Sequence, residues 1–528
     1  MPAELIIYNA DVLTQNKHQP GAQAFAVDKG VFIATGNNED ILQLKEANTK
    51  MINANGKTVL PGFIDAHIHV WKVGNLKTFL LDLRGVSSLE EMQDKLSDFA
   101  RQNPGTGWIQ ARGFNEANMK EQRLPDKNDL DKITAERPLW IIRTCAHIGI
   151  ANSKAIELSN IISQSHIPAG GEMRLGPDGK PSGIFTESAL GLISNNIPAY
   201  SGDDYALMIK AAEEELLSYG ITSATDPAVM PDLLACYHQL EKENKLRIRI
   251  NAFPVRVPDG SDDILQVPEL YHSDKLTVNT VKFFADGGLS GMTAAMKKPY
   301  KNSSSAGILR LNEEFFYPIA KEAADRGFRI ATHAIGDKAI DVVLNVYEKL
   351  YGAGCRGLRI EHLGLPSDTH LQHMKEMDVD CVSQSIFIKE LGKNFALYLE
   401  DERLQRTYPY RSILKAGVNL ALSSDAPVVK DFDPVTGIKA AVYRKDIAGN
   451  IIGDEETISL QDAIYAYTMG AAKANGNAHE AGSIEAGKKA DFILLNKPLQ
   501  KTIGENEDVH VTATYINGQQ LYSRQSFS

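Results

Sequence analysis

The chain has 528 residues, of which 43% are hydrophobic and 23% are charged, a composition that is ordinary for folded globular proteins. This length exceeds what one hydrophobic core normally holds, so more than one structural unit is expected. The formal net charge of −11 argues against nucleic acid or an anionic membrane surface as the main partner.

The first residues lack the basic and apolar regions of a signal peptide, and no run reaches the roughly 18 apolar residues needed to cross a bilayer. The four cysteines are far apart in sequence, and we expect buried free thiols in a reducing compartment at Cys145, Cys236, Cys355 and Cys381. Together these features predict a soluble, cytoplasmic protein.

Both ends of the chain carry short strand patterns that are separated by turn residues. Near the start, Leu5–Tyr8 and Val31–Ala34 are apolar runs, and the turn Asn55-Gly56 precedes another such run. Near the end, Gly487–Leu495 and Val511–Gly518 have the same character. We expect one small β-sandwich that is built from residues 1–61 and 476–528, since domain termini often lie close together.

The stretch Val59–His69 is interpreted as a buried strand that ends in a His-x-His pair. Side chains two positions apart in a strand point to the same side, so His67 and His69 can reach one space. Two imidazoles in this arrangement can bind a metal ion. The pair alone is weak support for a metal site, which requires further ligands from later in the chain.

Residues 71 to about 205 do not fit a single βα repeat and are interpreted as a large insertion. After this insertion, apolar strand-like runs alternate with amphipathic helical patterns, which favours parallel βα units. With the strand that leads to His67, eight candidate strands are present, as in a (β/α)8 TIM barrel over residues 62–475. The insertion would cover the C-terminal rim of this barrel. The other candidates are residues 221–225, 247–250, 280–284, 329–333, 358–362, 379–383 and 419–423.

Several of these strands end on residues that can bind metal. The C-terminal ends of parallel barrel strands converge on one rim, so side chains that are distant in sequence can meet there. Imidazoles and a carboxylate at that rim suit zinc or a similar divalent ion. The candidate ligands are His67, His69, Lys282, His333, His362 and Asp425.

Lys282 is the unusual member of this set, because a protonated amine has no lone pair with which to coordinate metal. A carboxylated Lys282 would be a carbamate with two oxygens able to bridge two ions. The alternative is an ordinary lysine that forms an ion pair with Asp286.

These motifs resemble the amidohydrolase superfamily, in particular the amidohydrolase-3 group that includes N-substituted formamide deformylases. The resemblance is carried, in the family's order, by residues 61–69, 281–287, 333–337, 360–362 and 424–427. It implies that His67, His69 and Asp425 hold one ion, that His333 and His362 hold another, and that a carboxylated Lys282 bridges them. Some relatives use a single ion, so one or two ions per chain are expected.

The resemblance and the ligand set together imply a hydrolase that acts on a carbon–nitrogen bond other than a peptide bond, in an N-acyl or N-formyl amine. The metal would lower the pKa of a bound water, and Asp425 would pass its proton to the leaving nitrogen. The alternatives are a cyclic amide or other C–N hydrolase on the same scaffold, and a non-catalytic binding protein. The expected partner is a small-molecule substrate, and a homodimer is one option for the oligomeric state.

Three residues of the insertion are candidates for lining the substrate pocket. His147 lies in a segment that resembles a His-containing family motif before Asn152-Ser153, while Trp71 follows the metal motif directly. Arg112 is the third candidate. Each could instead pack or form an ion pair within the insertion.

Other positions bear on structure and on substrate choice. Glu361 precedes His362 in its strand and is expected to face away from the site in a structural role. Family members often have arginine at the position of Met292 and proline at that of Ser385. Because both positions are expected to line the pocket, these departures weaken any transfer of substrate identity.

Overall fold

A computed structural model describes residues 3–144, 148–163, 165, 167–168, 171–259, 261, 263–499 and 503–524. The chain divides into two compact units, one of residues 1–70 and 212–528 and the other of residues 71–211. Within the described residues, no helix has the length and apolar character that a bilayer span requires.

Strands from both ends of the chain share one six-stranded sheet in the first unit. Thr58–Pro61 pairs antiparallel with Phe492–Leu495, so that Pro61 lies opposite Phe492. The spatial order of this sheet is Gln519–Ser523, Val511–Ile516, Phe492–Leu495, Thr58–Pro61, Asp11–Leu13 and Gly21–Ala22. A four-stranded sheet has the order Val31–Gly36, Ala24–Asp28, Leu5–Tyr8 and Lys50–Asn53.

An aromatic cluster holds these two sheets together. The ring of Phe492 stacks on Tyr515 with centroids 4.4 Å apart and meets Phe25 edge-on at 4.9 Å. Phe32 also contacts Phe25, and all four rings are buried. Burial of each large apolar side chain contributes about 1.5–3 kcal/mol, so the two ends of the chain are joined by packing as well as by strand pairing.

Two further sheets of the first unit consist almost entirely of parallel strands. One has the order Tyr271–His272, Leu276–Val278, Arg249–Pro254, Ile221–Val229 and Phe63–Asp65, with only its first strand antiparallel to its neighbour. The other has the order Thr280–Phe284, Arg329–Ala334, Leu358–His362, Asp380–Ser383 and Leu420–Leu422. The two sheets adjoin where Val255 forms a parallel bridge with Lys282.

The strand register brings the carboxyl ends of these strands together. Phe284 lies opposite His333, and Ala334 lies opposite His362. Beyond the last strand of the second sheet, the Asp425 amide donates a hydrogen bond to the His67 carbonyl at 2.7 Å. This bond links the chain after Leu420–Leu422 to the chain after Phe63–Asp65.

Helices alternate with the parallel strands along the chain. Asp337–Gly352 buries Ile340, Val343, Leu344 and Tyr347, as their helical spacing predicts. The other helices of this part of the chain are Asn38–Leu42, Gly202–Ser218, Pro231–Lys242, Glu313–Asp325, Asp368–Glu376, Ile386–Tyr398, Asp401–Gln405, Tyr410–Lys415, Pro434–Tyr443, Leu460–Ala466 and Met469–Asn475, with short 3-10 turns at Leu289–Gly291 and Asp454–Glu456.

The second unit contains a mixed six-stranded sheet. Its order is Glu172–Leu175, Pro181–Thr186, Ile148–Ala151, Leu139–Arg143, Ile109–Phe114 and Leu80–Asp82. The first two strands form the hairpin that the turn sequence around residues 176–180 predicts. Its helices are Val70–Thr78, Leu89–Gln102, Lys127–Asp131, Ser153–Leu158 and Gly191–Ser194, with 3-10 turns at Glu116–Asn118 and Glu187–Leu190.

The prediction of one continuous strand over Val59–His69 is wrong. The stretch forms two strands, Thr58–Pro61 and Phe63–Asp65, which belong to different sheets. Gly62 separates them at a point where a Cβ atom would lie only 2.2 Å from Thr222 Oγ1. His67 and His69 lie beyond the second strand, so strand alternation does not place them.

Candidate metal centre

His67, His69 and Asp425 form a compact group of potential ligands. One atom from each of the three side chains lies within 4.8 Å of the others. Asp425 Oδ1 is 3.4 Å from Nε2 of both imidazoles. Asp65 links the two backbone segments that carry these ligands. Its Oδ1 accepts hydrogen bonds from the His67 amide at 3.1 Å and from the Ser424 amide at 3.2 Å. The backbone therefore holds the His-x-His segment against Asp425.

The other two predicted histidines lie beside this group. The His362 ring centroid is 4.9 Å from that of His67 and 4.4 Å from that of His333. His362 is buried, and the side chain of His333 is 13% exposed. The four imidazoles thus lie at or beyond the carboxyl ends of three strands, Phe63–Asp65, Arg329–Ala334 and Leu358–His362.

Hydrogen bonds fix which ring nitrogen of each of these two histidines remains available. His362 Nδ1 lies 2.7 Å from the amide oxygen of Gln384, whose nitrogen in turn donates to Ser423. His333 Nε2 lies 3.1 Å from the Gly287 carbonyl. A carbonyl oxygen only accepts, so Nε2 of His362 and Nδ1 of His333 carry the lone pairs that could bind an ion.

Lys282 is fully buried, and its Nζ has no hydrogen-bond partner among the described residues. The alternative of an ion pair with Asp286 is not formed, because that carboxylate accepts from the backbone amides of Ala295, Ile335 and Gly336. Burial lowers the pKa of Lys282 to about 8. The Nζ atom lies 4.8 Å from the centre of the Phe284 ring. A buried amine without hydrogen bonds is still costly, and a carbamate that binds metal would remove this cost. The side chain therefore fits a metal-bridging role.

The carboxyl group of Asp425 is an anion at neutral pH. Burial alone would raise its pKa, but the neighbouring His67 outweighs this effect, with a further contribution from His69, and holds the pKa well below its usual range. The same interaction raises the pKa of His67 against the opposing effect of burial, with Glu361 also contributing. The centre is thus an electrostatically coupled group in which a carboxylate is available as ligand or base.

Two of these side chains come from strained backbone. His362 has φ of +73° and Asp425 has φ of +56°, both in the left-handed region. Such conformations cost about 1–3 kcal/mol each and persist only where the surroundings enforce them. Here a hydrogen bond from Ser383 Oγ to the His362 carbonyl, at 2.9 Å, and the bond from the Asp425 amide to His67 provide that support.

The prediction that Glu361 faces away from the site is wrong. Its Oε2 lies 2.5 Å from His67 Nδ1, and the carboxyl is fully buried. The positive φ of His362 breaks the alternation of the strand, so Glu361 and His362 both lie against the His67 ring. The sequence likewise does not predict the role of Gln384 as the partner of His362. The signal for Glu361 in the sequence is its alternation with Arg359, which places two charged residues in one short strand.

Two of the candidate pocket residues, Trp71 and Arg112, lie in the second unit. Trp71 meets Tyr205 edge-on at 5.6 Å, and Arg112 lies in the strand Ile109–Phe114, where burial lowers the pKa of its guanidinium. His147 lies outside the described residues. The substrate-binding role of all three stays a prediction.

Ser385 does not line a pocket as expected. Its side chain is fully buried, and its Oγ donates to the Gly437 carbonyl at 2.7 Å in the helix Pro434–Tyr443. Met292, in contrast, is half-buried and ends the 3-10 turn Leu289–Gly291 with φ of +54°.

Comparison with known proteins places this site in a family context. The sequence matches the amidohydrolase family over residues 50–522. It is 27% identical to N-substituted formamide deformylase from Arthrobacter pascens, covering 99% of this chain and 98% of that protein. It is 28% identical to Protein LONG AFTER FAR-RED 3 from Arabidopsis thaliana, covering 98% and 92%. The fold is similar to that of an uncharacterized metal-dependent hydrolase from Pyrococcus horikoshii OT3, with a TM-score of 0.78, 27% identity and coverage of 95% and 98%.

Proposed function

This chain belongs to the amidohydrolase family, and we propose that it hydrolyses the C–N bond of N-acyl or N-formyl amines at a divalent metal centre. The observation that carries the proposal is the compact group of His67, His69 and Asp425, whose ligand atoms lie within 4.8 Å of one another. The substrate class is supported by the likeness to an N-substituted formamide deformylase over nearly the full length of both chains.

His67, His69 and Asp425 would hold one ion, and His333 and His362 would hold a second, with Lys282 between them as a carbamate. Mixed nitrogen and oxygen ligands of this kind suit zinc. The bound metal would supply Lewis-acid chemistry, which lowers the pKa of water and polarises a carbonyl. The unpartnered Nζ of Lys282 supports its place in the ligand set.

Asp425 is the residue that we assign to proton transfer. Its carboxylate is anionic, and its Oδ1 lies 3.4 Å from Nε2 of His67 and of His69. A base at this position can accept a proton from the attacking water and deliver it to the leaving nitrogen. The neighbouring imidazoles restrain the carboxylate in one orientation, which is the condition for efficient transfer.

The parallel strands of these two sheets would together form one (β/α)8 barrel, in which the consecutive segments Leu276–Val278 and Thr280–Phe284 make one barrel strand. The bridge between Val255 and Lys282 joins them on one side, and the hydrogen bond from Asp425 to His67 joins them on the other. The metal centre would then lie at the C-terminal rim, where the active sites of such barrels are found.

The experiment is metal analysis combined with the activity of the Asp425→Asn variant on a panel of N-formyl and N-acyl amines. We expect one or two ions per chain in the native protein, and a fall in kcat of about 100- to 10,000-fold in the variant because asparagine cannot accept the proton. The matched control is Asp380→Asn, which should retain activity. Asp380 begins the strand Asp380–Ser383 and therefore lies at the end of the sheet that is opposite to the candidate metal centre.

A native protein that contains no metal and hydrolyses no amide would contradict the proposal. If the protein hydrolyses cyclic amides and not open-chain ones, the proposed metal centre holds and the proposed substrate class is wrong. Equal loss of activity in both variants would point to a folding defect and would contradict the role of Asp425.

A further inference from the structure

Buried polar side chains form a continuous column from Asn475 to His67. Asn475 Oδ1 accepts from Arg359 Nη1 at 2.8 Å. Arg359 donates to Glu361 through Nε to Oε1 at 2.5 Å and through Nη2 to Oε2 at 3.0 Å. Glu361 Oε2 then lies 2.5 Å from His67 Nδ1. Arg359 and Glu361 are both 0% exposed, so the ion pair is shielded from water.

Arg359 also holds the backbone that carries His67. Its Nη2 donates to the carbonyl of Ala66 at 2.8 Å. The guanidinium lies over the Phe253 ring at 4.8 Å, which fixes its plane. One side chain therefore restrains both the peptide that precedes His67 and the carboxylate behind its ring.

Glu361 constrains one ring nitrogen of His67. An ionised carboxylate only accepts hydrogen bonds, so Nδ1 carries a hydrogen, and Nε2 can offer its lone pair when an ion lies between His67 and Asp425. Nε2 is the atom that lies 3.4 Å from Asp425 Oδ1, at the candidate metal position. The partner of His362, in contrast, is the neutral amide of Gln384. A charged partner makes an imidazole a stronger metal ligand than a neutral one does.

We propose that Arg359 and Glu361 are positioning residues that fix the ring and the tautomer of His67 for metal binding. The inference rests on the proposed function, because it requires an ion at His67. A purely structural ion pair would instead affect the stability of the fold and leave the metal affinity of the folded protein unchanged.

The test is the affinity of the Glu361→Gln variant for Co²⁺, measured by competition with a chromophoric chelator, together with the visible spectrum of the bound ion. We expect binding to be weaker by about 10- to 100-fold and the absorption bands to shift. The matched control is Glu213→Gln, which replaces another buried glutamate. Within the part of the chain that the structure describes, Glu213 accepts hydrogen bonds from the backbone amides of Arg247 and Ile248 and from no other group, so this variant should bind Co²⁺ as the native protein does.

The outcomes separate this inference from the proposed function. A native protein that binds no Co²⁺ would overturn the metal centre itself. Normal binding by the native protein with unchanged affinity and spectrum in Glu361→Gln would overturn the positioning role alone. Should Glu361→Gln not fold, Glu361→Asp carries the same expectations, since it keeps the charge but withdraws the carboxylate from Nδ1 by one methylene. If neither variant folds in the absence of metal, the ion pair between Arg359 and Glu361 serves folding, and the proposed positioning role is wrong.

Discussion

Glu213 should make the stability of the first unit depend strongly on pH. Its side chain is 1% exposed, and its Oε1 accepts from the amides of Arg247 at 2.8 Å and Ile248 at 3.2 Å. Burial raises the pKa of this carboxyl from 4.5 to about 7, because the two hydrogen bonds and the charges of Arg247 and Lys275 offset only part of the effect. The folded protein therefore binds the proton more tightly than the unfolded chain does.

The sign and the size of the effect follow from this shift. The bound proton contributes stability that is fully present below pH 4.5 and is lost as the pH rises through about 7. One pKa unit corresponds to about 1.4 kcal/mol, so the whole shift is worth about 3 kcal/mol in the free energy of unfolding. Roughly 2–3 kcal/mol of this falls between pH 5 and pH 8.

The Glu213→Gln variant isolates this contribution. Glutamine keeps a carbonyl oxygen for the two backbone amides and has no proton to lose. The free energy of unfolding of both proteins can be measured in urea at pH 5 and pH 8. Between these two pH values, the native protein should lose about 2–3 kcal/mol more of this free energy than the variant does. A difference between the two proteins that is the same at both pH values would refute the reasoning, because Glu213 would then titrate alike in the folded and unfolded states.

Two further predictions concern packing and metal. Gly62→Ala should destabilise the protein by about 1–3 kcal/mol in urea unfolding, because the new Cβ would lie 2.2 Å from the buried Thr222. Gly352→Ala has open space around it and should change stability by less than about 0.5 kcal/mol; equal effects would contradict the packing argument. Removal of metal by a chelator should lower the Tm, and addition of zinc at 100 times its Kd should restore about 2.7 kcal/mol. A Tm that does not respond to either treatment would contradict a metal site in the folded state.

The strands that carry the candidate ligands could be predicted well from the sequence. Thr280–Phe284 and Leu358–His362 have the bounds that the strand patterns predict. The sequence of Val59–His69 predicts one strand because its apolar character continues through the point where the chain passes from one sheet to another. The chain passes between the sheets at Gly62, and the packing of this residue against Thr222 depends on a residue far away in sequence.

The ligand types could also be predicted, whereas their orientation could not. Imidazoles and carboxylates at strand ends are visible as residue types, but the partner of His67 is Glu361, which is 294 positions away in the chain. Its approach depends on the positive φ of His362, and a histidine in that conformation leaves no pattern in the sequence. Gln384 was missed for a similar reason, since one amide among many polar residues gives no periodic signal.

The pairing of Pro61 with Phe492 has a consequence for how the protein is made. A ribosome that adds about 5–20 residues per second would need roughly 20–90 seconds to travel from one partner to the other. During that time the edge of Thr58–Pro61 that later pairs with Phe492–Leu495 is open. An open strand edge can form hydrogen bonds with a strand of another chain, which leads to aggregation. This sheet therefore cannot be completed before Phe492–Leu495 has been synthesised, and until then this edge of Thr58–Pro61 stays open to pairing with another chain.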